Sequence, residues 1–141
     1  MALGFVRFIA GREGDAMGKR EPNDVIAAYM AAWNEDRPET RMALLESCWA
    51  EAGIYCDPGV YLVGRQALSE RIAAKRAERP GASLVQLSPV ESHHDVLRFH
   101  WHLLLADGST GPRSLDIGIT DADGRLLRMI GFFGELQDRS A

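Results

Sequence analysis

Two aspartates occupy positions of the sequence at which an acid is unexpected, the end and the middle of apolar strand patterns. Asp57 ends the apolar strand pattern of the stretch IYCDPGVYLVGR and is followed at once by Pro58 and Gly59. Asp116 lies in the middle of the strand-like stretch SLDIGIT, although Asp is disfavoured in strand interiors. A carboxylate that is buried without a partner shifts its pKa, and a shifted pKa suits an acid to proton transfer. Two such acids would supply general acid–base chemistry if they faced one cavity.

Each acid also has a purely structural interpretation. Asp-Pro-Gly is ordinary turn chemistry, so Asp57 could serve only to make a turn. Asp116 could face water on a half-exposed antiparallel sheet. Because side chains alternate along a strand, Asp116 lies on the face opposite three aliphatic residues, Leu115, Ile117 and Ile119. The strand pattern alone does not decide which of the two faces is buried.

The length and composition indicate one ordinary folded domain. The chain has 141 residues, of which 46% are hydrophobic and 26% charged, within the range of globular proteins. Its net charge of −4 comes from acids and bases interleaved along the chain, and the lack of a basic stripe argues against nucleic acid as a partner. No apolar run approaches the roughly 20 residues that span a bilayer, so no membrane association is expected.

The ends of the chain and its cysteines complete this outline. Residues 1–21 are Gly-rich and polar towards their end and are expected to form a flexible extension, with the folded domain at residues 22–137. Arg7 interrupts the only candidate targeting segment, which argues against a signal peptide. Cys48 and Cys56 show no metal-type spacing and are expected to be reduced thiols of a cytoplasmic protein.

The elements that must position the two acids follow in a clear order. Apolar residues that recur at steps of three and four predict three helices, at residues 23–34, 36–48 and 65–79. Period-two patterns rich in β-branched and aromatic residues predict five strands, at residues 49–57, 83–92, 95–105, 114–120 and 126–136. Turn chemistry separates the last four strands and predicts antiparallel neighbours. Together they predict an α+β domain with helices on one face of a curved sheet.

This order of elements, taken with particular residues, resembles the nuclear-transport-factor-2-like superfamily, which includes ketosteroid isomerases and polyketide cyclases of the SnoaL type. The resemblance covers residues 22–136, and the ketosteroid isomerases give the closest local match. AAYMAAWNED is similar to their first helix and points to Tyr29, while CDPGVYLVGRQAL is similar to the end of their first strand and points to Asp57. Asp116 matches an acid eight residues before a Gly-Arg turn. The resemblance implies a cone-shaped, curved antiparallel sheet whose concave face carries three N-terminal helices and encloses a pocket.

The resemblance also implies roles for these residues. Asp57 would be the proton-shuttling base, and Tyr29 with a protonated Asp116 would donate hydrogen bonds to an enolate oxygen. The implied function is a cofactor-free isomerase or cyclase that abstracts a proton from a small hydrophobic carbonyl compound. Aromatic and soft side chains are expected to line the pocket: Trp33, Trp49, Tyr61, Phe99, Trp101, Met129 and Phe133. Trp49 stands where the isomerases have a further tyrosine, which argues against a steroid substrate.

Several alternatives remain open at this point. The same fold could be a non-catalytic module that binds an apolar ligand or a protein. An epoxide hydrolase-like reaction would need Arg98 beside the two acids, but strand alternation directs Arg98 away from Phe99 and Trp101. The four histidines suggest no metal site, because no third ligand accompanies the pair that shares a strand face, His100 and His102. Apolar residues on both faces of the last strand predict a homodimer through the sheet.

Overall fold

The computed structural model describes residues 18–140. The expected N-terminal extension therefore lies almost entirely outside the described residues. Within them the chain forms three helices, α1 (Pro22–Trp33), α2 (Pro38–Cys48) and α3 (Arg65–Glu78). It also forms seven strands, β1 (Trp49–Asp57), β2 (Val60–Val63), β3 (Ser83–Gln86), β4 (Glu91–His93), β5 (Val96–Leu104), β6 (Ser114–Thr120) and β7 (Leu126–Phe132). None of the described helices has the length and apolarity of a membrane-spanning segment.

The first two helices begin at prolines. Pro22 and Pro38 are the first residues of α1 and α2, where the restricted φ of proline and its missing N–H cost nothing. The helices predicted at residues 23–34 and 36–48 therefore begin at Pro22 and Pro38 instead. In α1 the buried side chains recur at steps of three and four, as the sequence predicts: Val25, Ile26, Tyr29, Met30 and Trp33.

The strands form one mixed, curved and unclosed sheet in the order β2-β1-β7-β6-β5-β3, with β4 paired to β5. The α+β class is confirmed, but one pairing differs from the expected antiparallel arrangement. β1 runs parallel to β7, while the other strand pairs within residues 18–140 are antiparallel. This parallel pair places the C-terminal end of β1 beside the second half of β7, with Cys56 opposite Ile130.

The topology brings the two acids to neighbouring positions on the sheet. In the antiparallel pair β6·β7, Asp116 lies directly opposite Gly131. Asp57 follows Cys56, whose partner Ile130 precedes Gly131 on β7. Asp57, Gly131 and Asp116 therefore stand side by side on three adjacent strands. Neighbouring strands are about 4.8 Å apart, so two acids separated by 59 positions of sequence lie within reach of a common ligand.

The core lies between the helices and one face of the sheet. Side chains from all three helices pack against that face, among them Ile26, Leu45, Leu68 and Ile72, each with no solvent exposure. On β5 the predicted division of faces is confirmed, since Leu97 and Phe99 are buried whereas Arg98 is exposed. The opposite face of the sheet is not covered by any described helix, and Phe132 on that face is 54% exposed.

Candidate active site

A cavity of about 240 Å³ lies between the inner face of the sheet and helices α1 and α3. Six of the residues that the sequence suggests for a site line it: Tyr29, Trp33, Asp57, Trp101, Asp116 and Phe133. The remaining apolar lining comes from Leu84, Leu103 and Pro112, and the polar lining includes Tyr55 and Ser114. These side chains make part of the lining apolar, and the acids and phenols of the cavity come from α1, β1 and β6.

Asp57 ends β1 and makes the two-residue turn into β2. Its Oδ1 accepts backbone hydrogen bonds from Gly59 at 2.7 Å and Val60 at 3.2 Å, which is the Asx-type geometry typical of Asp before a turn. Its Oδ2 accepts a hydrogen bond from the Tyr55 hydroxyl at 2.7 Å. Asp57 therefore makes the turn through Oδ1, while its Oδ2 is bonded to a phenol that lines the cavity.

Asp116 is buried on the inner face of β6, with only 5% of its surface exposed. Its Oδ1 accepts a hydrogen bond from the Trp101 indole N–H at 2.9 Å. Burial and, to a smaller extent, the nearby charge of Asp57 raise the pKa of Asp116, hydrogen bonds from Trp101 and Tyr29 oppose the shift, and the resulting pKa is about 7. The inner face of β6 is therefore the face of Asp116, and the water-facing interpretation of this acid is wrong.

Gly131 marks the point where the two acids meet. A Cβ atom at this glycine would stand 3.1 Å from Asp116 Oδ1, 3.6 Å from the Asp57 Cβ and 3.8 Å from the Tyr55 hydroxyl. The two carboxylates and this phenol therefore surround one residue of β7. A side chain larger than hydrogen at this position would press on the Asp116 carboxylate.

Tyr29 reaches the cavity from α1. Its side chain is 1% exposed, and its ring stacks on that of Trp49, with centroids 5.8 Å apart and planes inclined by 13°. Burial raises the pKa of Tyr29 well above its usual value, and the charge of Asp116 adds to the effect. The phenol consequently remains protonated at neutral pH. Towards an anionic partner it therefore acts as a hydrogen-bond donor.

Four residues expected in the cavity lie elsewhere. Trp49, Phe99 and Met129 are fully enclosed in the core, where they support the lining without reaching it. Trp49 lies behind Tyr29, and its indole ring covers Gly53 so closely that a Cβ there would be 2.5 Å from the indole nitrogen. Tyr61 is 60% exposed on the edge strand β2 and lies near Arg128 on the outside of the sheet.

Tyr55, one of the aromatic residues of the sequence that could line a cavity, lies two positions before Asp57 on β1 and thus on the same strand face, and it does line the cavity. Three basic residues of the cavity are missing from the sequence-based expectation. Arg71, Lys75 and Arg79 also line the cavity. They recur every four residues along α3 and its end, which places them on one side of the helix. The sequence shows this stripe but not that it faces the sheet.

The other candidate groups lie away from the cavity. Arg98 is exposed and pairs with Glu91 at 2.8 Å on the outer side of β5, so Arg98 cannot serve the epoxide hydrolase-like alternative. His100 Nδ1 is 3.1 Å from the Ser114 carbonyl oxygen, while His93 ends β4 and His94 begins the turn after it, both of them exposed. Between residues 18 and 140, no three His, Cys, Asp or Glu side chains are grouped as metal ligands would be.

Comparison with known proteins gives a structural and a sequence relationship. The structure is similar to that of a candidate isomerase of the SnoaL-like family from Agrobacterium tumefaciens, with a TM-score of 0.74 and 32% sequence identity over 79% of this chain and 95% of that one. Searches with protein-family models and against curated proteins found no match.

More distant structures share the fold. A candidate polyketide cyclase from Sinorhizobium meliloti has a TM-score of 0.61 at 16% identity, over 77% of this chain and 93% of that one. A protein with a ketosteroid isomerase-like fold from Catenulispora acidiphila, crystallised with trimethylamine, has a TM-score of 0.63 at 14% identity, over 79% and 85% of the two chains. At 32% identity over nearly the whole length of the Agrobacterium protein, this chain belongs to the SnoaL-like family of the nuclear-transport-factor-2-like superfamily.

Proposed function

We propose that this protein is an isomerase or cyclase that moves a proton on a small, largely apolar carbonyl compound. Asp57 acts as the base, and Tyr29 and protonated Asp116 donate hydrogen bonds to the carbonyl oxygen. The observation that carries the proposal is the convergence of these three side chains on one apolar-walled cavity. The membership of a family that includes a candidate isomerase is consistent with it.

The base step follows from the position of Asp57. Its carboxylate takes a proton from the carbon next to the carbonyl, the electrons of that C–H bond form a carbon–carbon double bond, and the carbonyl oxygen becomes an enolate oxygen. The same carboxylic acid then returns the proton to a different carbon of the conjugated system. Three hydrogen bonds hold Asp57 in place, so its position is maintained while the proton is transferred.

The two donors, Tyr29 and Asp116, stabilise the negative charge that develops on the substrate oxygen by hydrogen bonds. Tyr29 keeps its proton because burial raises its pKa, and Asp116, with a pKa of about 7, carries a proton in a substantial fraction of molecules at neutral pH. Trp101 occupies Oδ1 of Asp116, and the proton is then carried by the other oxygen. In an apolar cavity, each such donor typically accelerates a reaction by roughly 10²- to 10³-fold.

The apolar wall contributes by limiting access of water. Trp101 and Phe133 meet edge to face with ring centroids 6.0 Å apart, and Trp33 and Tyr55 approach to 5.7 Å between centroids. Aromatic rings at these positions exclude water from around the carbonyl group of a bound ligand. Hydrogen bonds to a developing charge are stronger in such an environment than in water.

Hydrogen exchange on a model ketone tests the proposed function. The α-hydrogens of 2-tetralone, a two-ring ketone, would be followed by proton NMR in D₂O with and without the protein. Wild type should accelerate the exchange, and Asp57→Asn should lose roughly 10²- to 10⁴-fold of that acceleration, since the base is removed. Asp138→Asn, which changes an exposed acid near the C-terminus, is the matched control. Exchange no faster than in buffer, or equal rates in wild type and Asp57→Asn, would contradict the proposal.

A further inference from the structure

One side of the cavity is cationic. The proposed mechanism, which uses two acids and a phenol, gives these cations no role. Arg71, Lys75 and Arg79 line the cavity from α3 and the residue after it. Residues four apart on a helix are about 6 Å apart along its axis, so the three form a row from the interior towards the rim. Arg71 has a buried Nε whereas Arg79 is exposed, and the Arg71 Nη2 lies 3.6 Å from where a Cβ added to Gly59 would stand, in the turn that Asp57 makes.

Arg71 is the unusual member of this row. Its Nε is buried and has no hydrogen-bond partner in the described part of the chain, and none of the ion pairs among residues 18–140 involves it. Leaving a guanidinium N–H out of water without an acceptor is costly. A structural arginine at such a position normally has acceptors, as Arg41 of the same core has in the Ser69 hydroxyl and the Glu35 backbone carbonyl.

The other two cations have ordinary explanations but still add to the field in the cavity. Lys75 pairs with Glu78 at 3.1 Å, with 24% of its side chain exposed, and Arg79 follows the end of α3, where a positive charge favours the helix dipole. Lys75 is nevertheless close enough to the lining to reach a ligand. Arg79 is exposed at the rim and would act on a ligand only at longer range.

The net charge of the cavity lining indicates the charge of the ligand. The lining holds three cations and two acids, so its net charge is positive even if both acids are ionised. A neutral ligand without an acceptor at this point would leave the buried Arg71 Nε without a partner. A planar carboxylate would accept the two parallel hydrogen bonds that a guanidinium offers and would remove this penalty.

The size of the cavity limits the rest of the molecule. An apolar cavity of about 150 Å³ accepts benzene, whereas drug-sized ligands occupy about 300–1,000 Å³. The volume of about 240 Å³ lies between these values and suits one substituted ring or two fused rings. We propose that the ligand of this cavity is a one- or two-ring apolar compound that carries a carboxylate, held by Arg71 with help from Lys75. This inference rests on the proposed function only for the further expectation of a carbonyl group beside Asp57.

Paired probes that differ only in charge test this inference without catalysis. Isothermal titration calorimetry would compare 2-naphthoate with 2-naphthamide, which has the same rings and a neutral head group. Wild type should bind the carboxylate about tenfold more tightly or better, a difference of about 1.4 kcal/mol. Arg71→Gln should abolish this preference and Arg71→Lys should retain only part of it. Arg98→Gln removes the same charge from the outer side of β5 and should retain the full preference.

The outcomes separate this inference from the proposed reaction. Equal affinity of wild type for the two probes, or a preference that survives Arg71→Gln, would overturn the inference, and the first result needs no variant to fold. If the probes bind equally while 2-tetralone exchange depends on Asp57, the proposed reaction stands and the carboxylate ligand is wrong. If 2-naphthoate is preferred through Arg71 while no exchange exceeds that in buffer, the ligand class stands and the proposed reaction is wrong.

Discussion

At the level of single residues, the two acids of the cavity differ in burial and in the hydrogen bonds that their carboxylates accept. Asp57 is half-buried and its carboxylate accepts three hydrogen bonds, whereas Asp116 is buried with the indole of Trp101 as its hydrogen-bond donor at 2.9 Å. The sequence identified both acids from their positions in strand patterns. It could not decide whether Asp116 was buried, because both faces of β6 carry residues compatible with a core. That decision is made by the helices, which cover the face of Asp116.

The raised pKa of Asp116 has a consequence for stability. In the unfolded chain this acid titrates near 3.8, and in the fold near 7, so between these values the folded state holds a proton that the unfolded state has lost. Stability should therefore fall as pH rises from about 4 to about 7 and should change no further through this group above 7. One pKa unit corresponds to about 1.4 kcal/mol, and the shift to about 7 corresponds to at most about 4 kcal/mol.

Asp116→Asn should remove this dependence, because asparagine has the same shape and no charge. Urea unfolding of wild type and variant at several pH values would measure it. We expect the variant to gain in stability relative to wild type as pH rises from about 4 to about 7. Parallel curves for the two proteins over this range would show that Asp116 does not titrate with a raised pKa. Asp95→Asn, at an exposed acid paired with Lys19, serves as the control.

Tyr55 should act as a positioning residue for Asp57. Tyr55→Phe removes the hydroxyl that donates to Oδ2 at 2.7 Å and leaves the strand and the turn intact. A hydrogen bond to a charged group contributes about 1.5–3 kcal/mol, so the exchange rate of 2-tetralone should fall about tenfold or more while its binding changes little. Tyr61→Phe, on the exposed edge strand, should match wild type. Loss of binding without loss of rate would show that Tyr55 contacts the ligand instead.

At the level of elements, local sequence patterns predicted most of the helix and strand boundaries. They did not predict which distant strands pair. β1 and β6 have the predicted limits, Trp49–Asp57 and Ser114–Thr120. The short strand β2 was not predicted, since its four residues follow a turn and form an edge. The predicted strand at 83–92 is two strands, because Pro89 lacks the N–H that a continuous ladder requires and β3 ends at Gln86.

The parallel pairing of β1 with β7 could not be read from local sequence. It joins segments that are more than 70 residues apart, and strand patterns carry no information on which distant strand is the partner. This pairing is also what places Asp57 beside Gly131, with Asp116 on the other side of that glycine. The convergence of the acids was therefore available only through resemblance to proteins of known fold.

Two glycines of adjacent strands should respond differently to an added methyl group. In Gly131→Ala the Cβ would lie 3.1 Å from Asp116 Oδ1, so the carboxylate must move and the exchange rate of 2-tetralone should fall. In Gly118→Ala the Cβ would lie 2.9 Å from side-chain carbons of Leu97 and Leu126, which should destabilise the core by about 1–3 kcal/mol. Exchange kinetics and urea unfolding of both variants would measure the contrast. Equal effects of the two on rate would argue against a special role of Gly131.

At the level of the whole molecule, the helices cover one face of the sheet and leave the other open. The open face carries half-buried aliphatic residues of β6 and β7 and the exposed ring of Phe132. Contiguous apolar surface of this kind is typical of protein interfaces, and closed twofold pairs are the commonest oligomers of soluble proteins. We therefore expect a second copy of the chain to cover this face.

Light scattering coupled to gel filtration would test the expected dimer. Wild type should elute with about twice the chain mass of 15.6 kDa, and Ile117→Glu on the open face of β6 should elute as a monomer with an unchanged circular dichroism spectrum. Thr110→Glu, at the exposed loop before β6, adds the same charge elsewhere and should remain dimeric. A wild-type monomer at tens of micromolar would contradict the expected dimer and would leave the cavity of the single chain unaffected.

The proposed chemistry requires that Asp116 share one water-poor cavity with the charge of Asp57. The most direct test is the titration of the Asp116 carboxyl carbon by ¹³C NMR, assigned through its loss in Asp116→Asn. The structure predicts a pKa of about 7 in wild type. It predicts a lower pKa in Asp57→Asn, where the neighbouring charge is gone. A value near 4 in both proteins would contradict it, because such an acid would be solvated and could not remain protonated to donate a hydrogen bond to an enolate.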